Sequence, residues 1–184
     1  MEAQMSQTQE EIQVLLNTNL RVNRLDQVRD IFIFCCFTGL AYVDVKKLTN
    51  DDIVLGIDGE KWIETKRTKT NTKSNIPLLP TAIQILQKYA FSKEVSQNRV
   101  LPVLTNQKMN AYLKEIAHLS GMKKNLTTHL ARHTFATTVT LSNGVSIESV
   151  SKMLGHSSLK TTQIYAKVID KKLMEDMRMV EGKY

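Results

Sequence analysis

The reading of this chain turns on Thr128 to Tyr165, which opens T-H-L-A-R-H-T-F-A-T-T (128–138) and closes M-L-G-H-S-S-L-K-T-T-Q-I-Y (153–165). It sets His129, Arg132 and His156 upstream of Tyr165, with the small turn Leu154-Gly155-His156 between two helical patterns. Phosphoryl transfer needs cations around a charged phosphorus and one oxygen nucleophile, and this set supplies both. On a helix, the spacing of three between His129 and Arg132 puts them on one face, their Cβ atoms about 5–6 Å apart, so both can touch one phosphate. Arginine offers a planar fork for two phosphate oxygens, and histidine donates or exchanges a proton near neutral pH. Singly, each residue has an ordinary explanation: a core tyrosine, a capping histidine, a surface arginine. Together their order points to chemistry.

His133 follows His129 by four residues, as in a zinc-binding helix. Such a helix carries its general base directly after the first histidine, where Leu130 stands, and no third ligand follows at a familiar short spacing. No metal site is expected, and His133 is read as a packed, hydrogen-bonded structural histidine.

Working outward, 184 residues suit one well-buried domain. The hydrophobic share of 42% is ordinary, and no apolar run approaches the roughly 18 residues of a membrane helix. The polar opening M-E-A-Q-M-S-Q-T-Q-E-E-I-Q lacks the layout of a signal peptide, so a cytoplasmic location is expected. Cys35 and Cys36 are adjacent in an apolar run and read as buried reduced thiols. The net charge is +7, and the base is clustered at Lys61, Lys66, Arg67, Lys69 and Lys73, then Lys123 and Lys124. Such clusters bind nucleic acid by releasing counterions from phosphate, or simply solvate a lysine-rich surface.

The fold class expected is α+β, mainly α-helical, with a small three-stranded antiparallel sheet. Helical periodicity covers residues 9 to 18, then Gln27 to Thr38 with the apolar body Ile31 to Phe37, capped by Asp26 and ended by Gly39. A short helix at Ala41 to Leu48 precedes strands at Asp52–Leu55, Lys61–Thr65 and Asn75–Leu79, the second turn carrying K-R-T-K-T-N-T-K. Further helices are expected from Ala82 to Ala90, Gln107 to Leu119 and Thr128 to Leu141, with a short one from Ser146 toward Gly155. Leu159 to Val168 reads as a helix bearing Tyr165, and Asp170 to Met179 as a separate, methionine-rich last helix that folds back or docks on a neighbour.

H-L-A-R-H-T-F-A-T followed by G-V-S-I-E-S-V-S-K-M-L-G-H-S-S-L-K-T-T-Q-I-Y-A-K-V resembles the signature of the tyrosine recombinases (phage-integrase family): H-x-x-R, then L-G-H, then a nucleophilic tyrosine nine residues on. Upstream, F-T-G-L-A-Y-V-D-V-K-K-L-T-N-D-D-I resembles the family's T-G-L-R segment, and W-I-E-T-K-R-T-K-T-N-T-K-S-N-I-P-L-L its lysine-bearing hairpin. The resemblance covers about residues 25 to 180 and is nearest to integrases of Bacteroides-type mobile elements.

It implies site-specific DNA recombination. Tyr165 attacks a DNA phosphate to give a 3′-phosphotyrosine and a free 5′-hydroxyl; Arg132 clamps the phosphate, His129 serves proton transfer, His156 hydrogen-bonds the phosphate, and Lys69 protonates the leaving oxygen. It implies no metal, nucleotide or other cofactor. The partner is double-stranded DNA, bound by a homotetramer in the synaptic complex, with exchange of the C-terminal helix between protomers. Residues 1–23 read as a linker or remnant from a missing core-binding domain, and 24–184 as the catalytic domain, its C-terminal helix starting near 170.

One position departs from the pattern. Ala41 stands where the family carries its first catalytic arginine, although Asp44 fits the acidic position three residues later. Arg29 is the first candidate to replace it, but twelve helical residues span about 18 Å. Arg67, Lys46 and Lys47 are alternatives. The gap also leaves room for a non-catalytic DNA-binding or regulatory relative; a type IB topoisomerase-like relaxer fits the L-G-H pattern and the size less well.

Overall fold

The computed structural model describes residues 6–95 and 98–181, with backbone alone at 167–169 and 171–172. The ends of the two expected domain spans, residues 1–5 and 182–184, lie outside it.

One helix organises the rest. Helix α2, Asn23–Thr38, carries Ile31, Phe32, Ile33, Phe34, Cys35 and Cys36, all fully buried. A helix apolar on all sides needs neighbours on all sides, and α2 packs against α4 (Pro80–Tyr89), α5 (Asn106–Leu119), α6 (Thr128–Thr134) and residues 135–140. Burial pushes the Cys35 thiol up to about 12 and Cys36 well above its ordinary range, so both stay protonated packing groups.

The helix starts at Asn23, four residues before the expected Gln27, and Asp26 does not cap it. The Asp26 carboxylate is instead turned to Arg29 and Lys88, beside Asp30, which takes Lys88 at 2.6 Å and the Tyr89 hydroxyl at 2.9 Å. Helix α1, Gln9–Asn17, is capped by Thr8 and Glu11 in a reciprocal box. Its Ile12 and Leu15 join the same core, and Gln7 N–H donates to Thr134 Oγ1 at 2.8 Å. Residues 6 to 20 therefore pack onto the domain rather than trailing from it as a linker.

The sheet is the expected antiparallel meander, ordered β1 (Ile53–Leu55), β2 (Lys61–Lys66), β3 (Lys73–Pro77). Ile63 pairs with Ile53 on one side and Ile76 on the other, which puts the buried Ile63 and Ile76 on the core face. Short α3, Tyr42–Lys47, precedes the sheet, and α7, Ile147–Met153, packs on β3.

Two stretches differ from the helices expected. After α6 the backbone widens into a π-segment, Phe135–Thr140, where Thr140 Oγ1 donates to both Phe135 O and Ala136 O at 2.8 Å. This hydroxyl competes with backbone N–H groups for both carbonyls, in a segment whose backbone bonds run i→i+5 instead of i→i+4. Tyr165 ends a 3-10 helix, Leu159–Tyr165, and α8 runs unbroken from Ala166 to Glu181 rather than starting near 170.

Gly39 ends α2 with φ +69. A Cβ there would stand 2.5 Å from Phe135 Cδ1 and 2.9 Å from Leu154 Cδ2. Gly39→Ala combines left-handed strain with overpacking and should cost about 2–4 kcal/mol; urea denaturation measures this as a lower midpoint at unchanged slope.

Candidate active site

Arg132 lies on α6 and is 6% exposed. A buried guanidinium must be hydrogen-bonded, and its Nη1 donates to Gly39 O and its Nη2 to Leu154 O, each at 2.6 Å. Both acceptors are carbonyls freed where a helix ends, at α2 and α7. Burial, then the nearby Arg67 charge, lowers Arg132 to about 10, so it remains cationic at neutral pH.

Tyr165 is 7% exposed, and its hydroxyl lies 2.7 Å from His133 Nδ1. Burial raises its pKa, against the pull of the Arg132 and Arg67 charges. His133 Nε2 lies 2.8 Å from His129 Nε2, with the rings edge to face. His156 turns Nδ1 to Thr162 Oγ1 at 2.8 Å, which leaves Nε2 on the opposite edge of the ring. Burial first, with the Arg132 charge adding to it, brings His133 and His156 down to about 4, so both are neutral at pH 7.

The hairpin loop is tied to this centre at both ends. Asp44, 2% exposed, accepts Thr68 N–H at 2.8 Å and Thr68 Oγ1 at 2.7 Å, which explains the acidic position after T-G-L. Thr70 Oγ1 donates to Gly155 O at 2.9 Å, and Ser74 Oγ to Met153 O. Lys69 sits exposed between these two anchors. Gly155 has φ +62, and a Cβ on it would meet Arg67 Cβ at 3.1 Å, so the glycine lets the arginine lie flat against the L-G-H turn.

The four candidates near Ala41 separate cleanly. Arg29 donates to Asp26, to Asp30 at 3.0 Å and to Thr18 O at 2.9 Å, about 15 Å along α2 from Gly39. It is spent on the far end of the helix and does not reach the site. Lys46 lies over the Tyr42 ring at 5.7 Å, and Lys47 Nζ is used by Lys66 O and Asp44. Arg67 alone acts on Arg132, His156 and Tyr165 together, and its Nε is buried without a hydrogen-bond acceptor among the described residues.

The structure thus gathers Tyr165, Arg132, His156 and, through His133, His129, with Lys69 on the adjoining loop; Arg29 is excluded. His133 is packed and hydrogen-bonded as expected, its partners being Tyr165 and His129, and the contacts of Arg67 with the L-G-H turn and of Thr162 with His156 were not foreseen in the sequence. The i, i+4 spacing of His129 and His133 was the available signal for His133, once metal binding had been set aside.

A buried tyrosine hydroxyl in the field of two arginines and beside neutral histidines suits phosphoryl-transfer chemistry. The Phage integrase family model matches residues 6–172, and the chain belongs to that family. It is 35% identical to the tyrosine recombinase XerD of Listeria innocua over 150 residues, covering 75% of this chain and 49% of the relative. The chain therefore spans about half the length of the curated relatives it matches. Its fold is that of tyrosine recombinase catalytic domains. A crystal structure of the XerH site-specific recombinase in a post-cleavage complex with a palindromic difH substrate aligns with TM-score 0.75 at 22% identity, over 97% of this chain and 54% of that one. The catalytic domain of bacteriophage HP1 integrase aligns with TM-score 0.63 at 20% identity, over 94% and 93%.

The histidine shifts set a pH dependence. Each binds a proton more readily in the unfolded chain, near 6.5, than in the folded one, near 4. Their contribution to stability is full above pH 6.5 and is lost as pH falls toward 4. His156→Asn should therefore show a shallower loss of unfolding free energy between pH 6.5 and 4 than the parent, measured by urea denaturation in pH steps.

Proposed function

We propose that this chain is the strand-cleaving and rejoining domain of a site-specific DNA recombinase, an enzyme that needs no metal. The observation that carries the reading is the Tyr165 hydroxyl, buried in hydrogen-bond contact with a neutral imidazole and within the field of Arg132 and Arg67. Tyr165 attacks the phosphorus of a DNA phosphodiester; the bond to the 5′-oxygen breaks, leaving a 3′-phosphotyrosine and a 5′-hydroxyl. A 5′-hydroxyl from another strand then attacks and releases the tyrosine. The ester keeps the bond energy, so no cofactor has to supply it.

Arg132 and Arg67 clamp the non-bridging oxygens, Arg67 standing in for the arginine absent at Ala41. His156 hydrogen-bonds the phosphate through Nε2, His129 serves proton transfer, and Lys69 protonates the leaving oxygen from its exposed loop. A phosphate arriving among these groups favours their charged forms and raises the two depressed histidine pKa values.

Double-stranded DNA is the substrate, and the greater length of the relatives supports a partner domain that grips DNA from the other side. A homotetrameric synapse with exchange of α8 is supported by Leu173, Met174 and Met177, each about 60% exposed on that helix. The motif resemblance supports integration of a mobile element, in the cytoplasm on nucleoid DNA. Among the described residues no helix is long and apolar enough to cross a membrane.

A nicked suicide DNA substrate tests the reading by trapping the covalent adduct. The parent chain, joined to its DNA-binding region, should form it and Tyr165→Phe should not. Arg132→Ala and Arg67→Ala should each slow it by about 10²–10³-fold, while Arg29→Ala cleaves at the parent rate. No adduct from the joined parent would favour the non-catalytic reading that Ala41 suggests.

A further inference from the structure

A neutral histidine carries one N–H, and His133 has a partner on each ring nitrogen. Its Nδ1 faces the Tyr165 hydroxyl at 2.7 Å and its Nε2 faces His129 Nε2 at 2.8 Å. The Tyr165 and His133 rings meet edge to face, with centroids 5.4 Å apart. His133 is half-buried and His129 is exposed, so the three side chains form a line from a buried hydroxyl to solvent. The line is held at its root, because Thr137 Oγ1 donates to His133 O at 2.9 Å inside the π-segment. When the hydroxyl donates inward to Nδ1, the one imidazole proton sits on Nε2 and points to His129.

We propose that His133 is a catalytic residue: it takes the phenolic proton of Tyr165 on Nδ1 while its own Nε2 proton passes to His129. The inference rests on the reading of Tyr165 as the nucleophile. As the Tyr165 oxygen bonds to phosphorus, its proton moves to His133 Nδ1 and the Nε2 proton moves to His129 Nε2. His133 ends neutral and His129 ends as an imidazolium at the exposed edge, where water solvates its charge. The 5′-oxygen leaves with its bonding pair and takes a separate proton from the general acid. Rejoining runs the relay backward and returns the proton to the released tyrosine. Among the described residues His129 meets the nucleophile through His133, whose adjacency to Arg132 in the sequence puts the base and the phosphate clamp on one helix.

Two measurements test this in the chain joined to its DNA-binding region. In the first, His133→Asn keeps an acceptor near the Nδ1 position and cannot shuttle a proton. Its adduct formation should fall by about 10²-fold or more, and a substrate with sulfur at the 5′-bridging position should not restore it. That sulfur leaves without protonation, so it should restore Lys69→Ala. In the second, ¹⁵N imidazole shifts of the parent protein should show His133 protonated at Nε2 and bare at Nδ1. Parent-like cleavage by His133→Asn, its rescue by the sulfur substrate, or a proton found resting on Nδ1 would each overturn the relay. A parent protein that makes no Tyr165-dependent adduct defeats the recombinase reading itself, and the relay with it.

Discussion

The structure depends on the buried fork of Arg132, which joins the end of α2 at Gly39 O to the end of α7 at Leu154 O. Two charge-assisted bonds of about 1.5–3 kcal/mol each offset a desolvation cost of several kcal/mol, so the charge is held in place rather than driven out. Three remote pieces of sequence are fixed by this contact: the T-G-L turn, the H-x-x-R helix and the L-G-H turn. Because Leu154 immediately precedes Gly155 and His156, the same bond sets the position of the histidine and of the arginine that lies against the glycine.

The hairpin is the second constraint. It belongs to the sheet by pairing, yet its loop is fastened to Asp44 before the sheet and to Gly155 far after it. The loop brings Arg67 close enough for its charge to act on Arg132 and His156.

Much of the fold was legible because its signals are local. The all-round apolar run in α2, the I-P edge of β3 and the glycines after helices each act within a few residues. What was not legible came from competition among neighbours. Asp26 looks like a cap until Lys88 arrives from α4, and α1 looks like a linker until Ile12 and Leu15 meet the core. In the site, residue spacing grouped Arg132, His156 and Tyr165, which the fold brings together, but it favoured Arg29 over Arg67 only weakly. Helix geometry argued against the first, and only the tertiary fastening of the hairpin brings in the second. The hydrogen bond from Tyr165 to His133 spans 32 residues of sequence, so no local signal names that partner.

The central claim is that one phosphate is held between Arg132 and Arg67. The most direct test is a structure of Tyr165→Phe, in the chain joined to its DNA-binding region, on uncleaved duplex DNA. The account predicts the scissile phosphate with its non-bridging oxygens in hydrogen-bond contact with both guanidinium groups. A phosphate bound by Arg132 with Arg67 turned away, or with another cation in its place, would contradict it.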